Sequence, residues 1–396
     1  MPRSLTRQLP GLLLATAMLP ALVTACSPRT ETPEPSTQAG PSGTTESSEA
    51  AAKPVDPACE KLAALPIRDK LAQLVMVGVR DAADARAVVT DHHVGGIFIG
   101  SWTDLAILTD GSLKEIAGTD ALMPLGVSVD EEGGRVARLS SLIGKAPSAK
   151  ELAQTRTAAQ VRELAAERGR KMADLGITVD FAPVVDVVDA DTDDDTVIGD
   201  RSFGSDPAKV TEYAGAYAQG LRDGGVLPVL KHFPGHGHGS GDSHTAGAVA
   251  TPPLAKLQDN DLVPYRTLVT QEPVAVMLGH LEVPGLTDEP ASLSPAAVKL
   301  LRTGTDYHGP AFDGVVFSDD LSSMAAIADH YGVAEAVLRS LQAGVDIALW
   351  VTTDEVPAVL DRLEQAVAAG ELKQEAVDAS LARVAAVKKP GTHCRG

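Results

Sequence analysis

Beyond residue 56 the chain alternates between short apolar runs and longer stretches with helical spacing. Eight runs stand out, at 74–79, 94–100, 125–130, 177–187, 226–233, 274–283, 315–320 and 345–351. They are nearly continuous in Val, Ile and Leu rather than alternating with polar residues. Strands of that kind are buried on both faces, as in parallel sheets. Helical candidates lie at 158–175, 207–223, 252–270, 334–343 and 357–369, and 371–388 has the spacing of a last amphipathic helix packed on the outside. Strand and helix in alternation argue for an α/β fold. A count of eight points to a single (β/α)8 TIM-type barrel over 57–396, with a doubly wound open sheet as the alternative.

The first 56 residues follow other rules. Arg3 and Arg7 precede a short apolar stretch, 9–25, interrupted by Pro10 and Pro20. That makes a poor membrane span and a good signal peptide. The stretch ends in Val23-Thr24-Ala25-Cys26, which resembles a bacterial lipobox. Residues 1–25 are therefore expected to be a lipoprotein signal peptide, with Cys26 lipidated; ordinary cleavage with Cys26 incidental is the bland alternative. Residues 26–56 are rich in Ser, Thr, Pro, Gly and Glu, cannot bury a core, and read as a disordered tether. The expected location is the outer side of the cell membrane, reached only through the lipid. Cys59 and Cys394 lie at opposite ends of the globular region. Export permits a disulfide between them; spacing alone does not decide between a bridge and two thiols, and the bridge is the expectation.

Composition narrows the function. Hydrophobic residues make up 44%, enough for a large core. Aromatic residues are only 3% and the formal net charge is −19, so a nucleic-acid partner is not expected. The chain has no phosphate-binding G-x-x-x-x-G-K-[ST] loop, no G-x-G-x-x-G after a strand and no paired C-x-x-C.

Chemistry concentrates where the apolar runs end, which in a barrel is a single mouth. The third run ends in Asp130-Glu131-Glu132-Gly133-Gly134-Arg135, and Asp200-Arg201-Ser202-Phe203 follows the fourth. The fifth ends in Lys231-His232-Phe233-Pro234-Gly235-His236-Gly237, the sixth contains His280, and the seventh ends in Ser318-Asp319-Asp320. Each residue also has a plainer reading. Asp319 or Asp320 could cap a helix, Arg201 could be an ordinary ion-pair partner, and Lys231 and His232 could begin a solvated loop. Asp186, Asp189, Asp191, Asp193, Asp194 and Asp195 read as a hydrated acidic loop whose spacing does not fit an EF-hand.

The segment 231–244 holds four glycines and four histidines. One reading is zinc, held by His236, His238, Asp242 and His244; no H-E-x-x-H helix accompanies it, and no metal is expected. The other is acid/base chemistry. Asp242 and His244 are two apart, so a tight turn brings the carboxylate onto one imidazole nitrogen and supports its protonated form.

Taken together, Lys231-His232-Phe233-Pro234-Gly235-His236-Gly237 with Asp242-Ser243-His244 resembles the signature of glycoside hydrolase family 3 β-N-acetylglucosaminidases. Asp130-Glu131-Glu132-Gly133-Gly134-Arg135-Val136, Asp200-Arg201-Ser202-Phe203 and Phe317-Ser318-Asp319-Asp320-Leu321 fall in that family's order, and the resemblance covers roughly residues 62–387. It implies a retaining, two-step hydrolysis of terminal β-linked N-acetylglucosamine, with muropeptides of the cell wall as the substrate. Asp319 would be the nucleophile and Asp242–His244 the acid/base pair. Asp130, Arg138, Arg201, Lys231 and His232 would hold the sugar. No cofactor is implied, and the protein is expected to act as a monomer. Two residues depart from the usual pattern. Glu131 stands where Gln is frequent, which is expected to make that corner more acidic, and His238 stands where Asp is frequent. Some relatives carry a second domain, for which this chain has no room. Phosphorolysis at the same site, and a sugar-binding lipoprotein without turnover, are the competing functions.

Overall fold

The computed structural model describes residues 57–118, 123–245, 247, 249–389 and 394. The expected signal peptide, Cys26 and the tether lie outside the described residues.

Among the described residues ten strands form, in chain order: β1 Val75–Val79, β2 Gly96–Ile99, β3 Gly126–Val129, β4 Glu131–Gly133, β5 Val136–Ala137, β6 Val179–Asp180, β7 Leu227–Phe233, β8 Ala275–Leu278, β9 Val316–Ser318 and β10 Ala348–Trp350. Eight of them make one parallel sheet in the order β10-β1-β2-β3-β6-β7-β8-β9. Its two ends meet: Phe317 bridges Ile347, and the Ser318 N–H donates to the Ile347 carbonyl at 3.1 Å. The (β/α)8 barrel is therefore closed. Every residue of β1, β2, β3, β8, β9 and β10 is buried, as strands lying between a filled interior and a helical coat must be.

The coat follows from local sequence. Helix Ala158–Asp174 starts on a capping box between Thr157 and Gln160. Helix Pro207–Asp223 starts on an Asp206 cap with Pro at its first position. The two pack closely because Gly220 lies at their crossing, where a Cβ would stand 2.4 Å from the Arg162 carbonyl oxygen. Helices Val333–Ala343, Val356–Ala369 and Gln374–Lys388 complete the later part of the ring.

Two expected elements come out differently. The run 177–187 pairs as a strand only at Val179–Asp180, with one further bridge from Val184 to Lys231. Pro183 has no N–H to give the ladder, and beyond it pairing with β7 continues only locally, with the Val185 N–H donating to the Lys231 carbonyl at 2.8 Å. The expected helix 252–270 is two helices, Leu254–Asp259 and Val263–Leu268. Asp261, between them, is buried and turns in to pair with His238.

Cys59 and Cys394 form a disulfide, with Cα atoms 5.3 Å apart. Just before Cys394, Lys388 reaches Gly95 at the start of β2, its Nζ 2.6 Å from the carbonyl oxygen. The chain end is thereby held at the end of the barrel where the strands begin. Among the described residues no helix is long and apolar enough to cross a membrane.

Candidate active site

A cavity of about 480 Å³ opens at the carboxyl ends of the barrel strands. Its floor is apolar: Phe98, Phe181, Met277 and Leu349 line it. Phe181 stacks against Phe98 and edge-on against Phe317, with ring centroids 5.7 and 5.4 Å apart. Trp102 stands at the rim, 45% exposed.

One wall is a hairpin that the sequence writes into the end of the third run. After β3, β4 and β5 pair antiparallel. Gly133 has a φ of 93°, and a Cβ there would meet the Pro147 carbonyl oxygen at 2.4 Å, so only glycine fits. The hairpin sends Asp130, Glu132 and Arg138 to the cavity. Lys231, at the end of β7, places its Nζ 2.6 Å from Asp130 Oδ1 and 2.6 Å from Glu132 Oε1. Arg201 donates to Glu132 from Nε and Nη2, both at 2.8 Å, and to the Val197 carbonyl from Nη1 at 2.9 Å. Burial pushes the Glu132 carboxyl up, but Arg201 and Lys231 overcome it and hold it well below the usual carboxylate range. Burial likewise works against the Lys231 charge, and Asp130 and Glu132 outweigh it, raising its pKa. The Arg138 guanidinium has no hydrogen bond or ion pair among the described residues, so its donors are open to a ligand.

The adjoining wall is organised by Asp186, which is fully buried. Its Oδ2 accepts from His232 Nδ1 at 2.7 Å, and its Oδ1 accepts the backbone N–H groups of His232 at 3.2 Å and His236 at 2.7 Å. A carboxylate accepts only, so His232 Nδ1 carries the proton and Nε2 is left as an acceptor. Burial raises the Asp186 pKa and His232 reverses this, leaving it lowered.

Opposite these stand the carboxylate and the imidazole pair. Asp319 follows β9. Its N–H donates to the Leu278 carbonyl at 3.0 Å, and its Oδ1 accepts the Asp320 N–H at 2.9 Å. Burial would raise its pKa, but His280, His232 and His244 outweigh that and hold it at about 2. Asp320, which also lines the cavity, caps the following turn, accepting the Ser322 N–H at 2.8 Å and the Ser323 N–H at 3.2 Å. Behind them His280 donates from Nε2 to the Asp320 carbonyl at 2.7 Å and contacts Ser292 Oγ through Nδ1 at 2.6 Å. His244 Nδ1 lies 2.8 Å from Asp242 Oδ1, which also accepts the His244 N–H at 2.9 Å. Both residues of this pair line the cavity together with Asp319.

Every residue singled out from the sequence for catalysis or sugar binding, namely Asp319, His244, Asp242, Asp130, Arg138, Arg201, Lys231 and His232, lines this one cavity. Two surrounding expectations change. Glu131 does not add charge to the corner: it is fully buried, bonded to Arg168 and accepting the Leu139 N–H at 2.7 Å, away from the cavity. Asp186 is no part of a hydrated loop. The histidines weighed as zinc ligands turn to separate partners, His236 to Ser243, His238 to Asp261 and His244 to Asp242. Sequence reasoning missed Glu132 and Asp186 as organising residues. The signal for both was their position at the ends of apolar runs; their partners lie 46 to 99 residues away and are invisible to spacing.

The chain resembles known proteins over nearly all of this structure. The family model described as the glycosyl hydrolase family 3 N terminal domain matches residues 66–387. Beta-hexosaminidase LpqI of Mycobacterium tuberculosis is 67% identical, over 97% of this chain and 99% of that protein. A solved glycosyl hydrolase of the same family from Mycobacterium smegmatis is 73% identical, with a TM-score of 0.81 over 83% of this chain and 99% of that one. A family 3 beta-N-acetylglucosaminidase from a Paenibacillus species is 33% identical, with a TM-score of 0.76 over 84% of this chain and 64% of that one. The chain belongs to glycosyl hydrolase family 3.

Proposed function

We propose that this glycoside hydrolase removes terminal, non-reducing β-linked N-acetylglucosamine with retention of configuration. The names of its relatives, beta-hexosaminidase and beta-N-acetylglucosaminidase, support the activity. The observation that carries the mechanism is the shared cavity: an ionised carboxylate, Asp319, and a carboxylate-backed imidazole, His244, both face the space walled by Asp130, Lys231, Glu132 and Arg201.

The chemistry divides between those two groups. Asp319 attacks the anomeric carbon as protonated His244 gives its proton to the departing oxygen; the glycosidic bond breaks and an Asp319 glycosyl ester forms. His244, now neutral, takes a proton from water as that water displaces Asp319, which regenerates both groups. Asp242 orients the ring through its bond to Nδ1, which leaves Nε2 to face the leaving oxygen. Asp130 and Lys231 offer an acceptor and a donor to the sugar hydroxyls, His232 offers Nε2, and Arg138 offers an unengaged guanidinium. Arg201 acts chiefly by fixing Glu132, since its Nε, Nη1 and Nη2 are already engaged. The natural substrate in this reading is a cell-wall muropeptide. The enzyme meets it at the envelope, where Cys26 anchors the exported chain.

The test is the stereochemistry and acceptor of turnover. Hydrolysis of an aryl N-acetyl-β-glucosaminide followed by proton NMR gives the β-anomer first if the reading holds, and the α-anomer first if it fails. Adding inorganic phosphate leaves rate and product unchanged for a hydrolase. A sugar 1-phosphate as the main product would identify a phosphorylase instead. Release of N-acetylglucosamine from purified muropeptides tests the substrate, and inactivity on them would remove that part alone.

A further inference from the structure

The acid/base pair occupies the least supported part of the site. The side chains of Asp242 and His244 are 40% and 58% exposed, and the bond between them is internal to their own loop. The base of that loop, by contrast, is well fastened. The His236 N–H donates to buried Asp186, and His238 Nδ1 pairs with Asp261 Oδ1 at 2.9 Å. The Ser240 N–H donates to the Ala250 carbonyl at 2.8 Å, and the Ala250 N–H returns to Ser240 Oγ at 3.0 Å.

A single side-chain link joins this base to the pair. Ser243, between Asp242 and His244, is buried, and its Oγ lies 3.2 Å from His236 Nε2. Among the described residues, no other side chain outside 242–245 bonds to that segment. Its remaining ties are two long backbone bonds, from the Ala325 N–H to the His244 carbonyl at 3.4 Å and from the Ala326 N–H to the Ser243 carbonyl at 3.3 Å. The His236 ring is buried, and its Nδ1 has no partner. Burial, with His232 close by, lowers its pKa and keeps it neutral. Neither His236 nor Ser243 lines the cavity.

We infer that the His236–Ser243 hydrogen bond positions the acid/base pair, holding His244 within reach of the leaving oxygen while the glycosidic bond breaks. Both are positioning residues, acting through the backbone on either side of Ser243. A general acid works only within hydrogen-bond reach of its target, and an error of about 1 Å costs up to roughly a hundredfold in rate. An exposed pair with one buried tether is sensitive to the loss of that tether. The inference rests on His244 being the acid.

Ser243→Ala removes the hydroxyl and leaves the loop's length and glycines intact. The readout is kcat/KM, which reports the glycosylation step, for N,N′-diacetylchitobiose and for 2,4-dinitrophenyl N-acetyl-β-glucosaminide. Dinitrophenolate leaves without a proton, so only the disaccharide needs the acid. Ser243→Ala is expected to lower the disaccharide value about tenfold to a hundredfold and the aryl value less than about threefold. Ser243→Thr, which keeps the hydroxyl, restores the disaccharide value. Equal losses on both substrates, or no loss on either, would overturn the inference. His244→Ala, measured alongside, separates the two claims. If it too shows no preference for the activated substrate, the acid assignment fails; if it shows one and Ser243→Ala does not, only the positioning role fails.

Discussion

Asp319 shows how residue identity and surroundings combine. A carboxylate sunk at the mouth of a barrel would ordinarily drift toward its neutral form. Three imidazoles around it reverse that and hold it at about 2. Because this lies below an ordinary unfolded carboxyl, ionised Asp319 stabilises the fold above about pH 4, and that contribution is lost as pH falls toward about 2. The same sign governs activity. Asp319 stays charged across the working range, so the pH profile of kcat/KM has no acid limb from the nucleophile between about pH 4 and 6. Asp319→Asn keeps the shape and lowers kcat by about three orders of magnitude or more, and at neutral pH it also loses the stability that the ionised carboxylate contributes, read as a lower thermal midpoint.

At the scale of elements, the hairpin β4–β5 and the end of β7 carry the charged walls of the cavity. Their sequence identities were legible, since charged and glycine residues interrupt apolar runs where a barrel keeps its chemistry. Their wiring was not. Nothing in the spacing says that Glu132 serves Arg201 and Lys231 at once, or that Glu131 beside it points the other way, into Arg168. One residue of register reverses the face of a strand, and the cavity sees only alternate side chains. Glu132→Ala leaves Arg201 without its carboxylate partner and Lys231 with Asp130 alone, and is expected to cost about 3–5 kcal/mol, read by denaturant unfolding, besides raising KM. Glu131→Gln is expected to leave KM unchanged while costing about 1–3 kcal/mol through its bond to Arg168. A KM shift for Glu131→Gln comparable to that for Glu132→Ala would put Glu131 back at the cavity. Asp186 was misread for a related reason. Grouped with the aspartates that follow it, it looks hydrated; placed at the end of its own apolar run, it belongs to the barrel mouth.

At the scale of the whole molecule, burial of the runs on both faces indicated a parallel sheet, and their count of eight, rather than that burial, favoured the barrel over a doubly wound open sheet. Expected strand limits ran long where proline interrupts regular pairing, as around Pro183, beyond which only a single bridge to β7 remains. The disulfide from Cys59 to Cys394 closes nearly the whole globular chain, on the end of the barrel away from the cavity. Replacing both cysteines by serine is expected to cost about 2–5 kcal/mol of unfolding free energy with little change in kcat/KM at 25 °C. A large loss of activity without a loss of stability would place the bridge in the machinery of the site.

The account depends most on Asp319 bonding to the sugar. A 5-fluoro N-acetylglucosaminyl fluoride forms a glycosyl-enzyme quickly and releases it slowly, so the ester can be trapped and located by peptide mass mapping. The account predicts one adduct, on the peptide containing Asp319, with its formation abolished in Asp319→Asn. An adduct on another residue, or turnover of the reagent with none formed at any time, would contradict it.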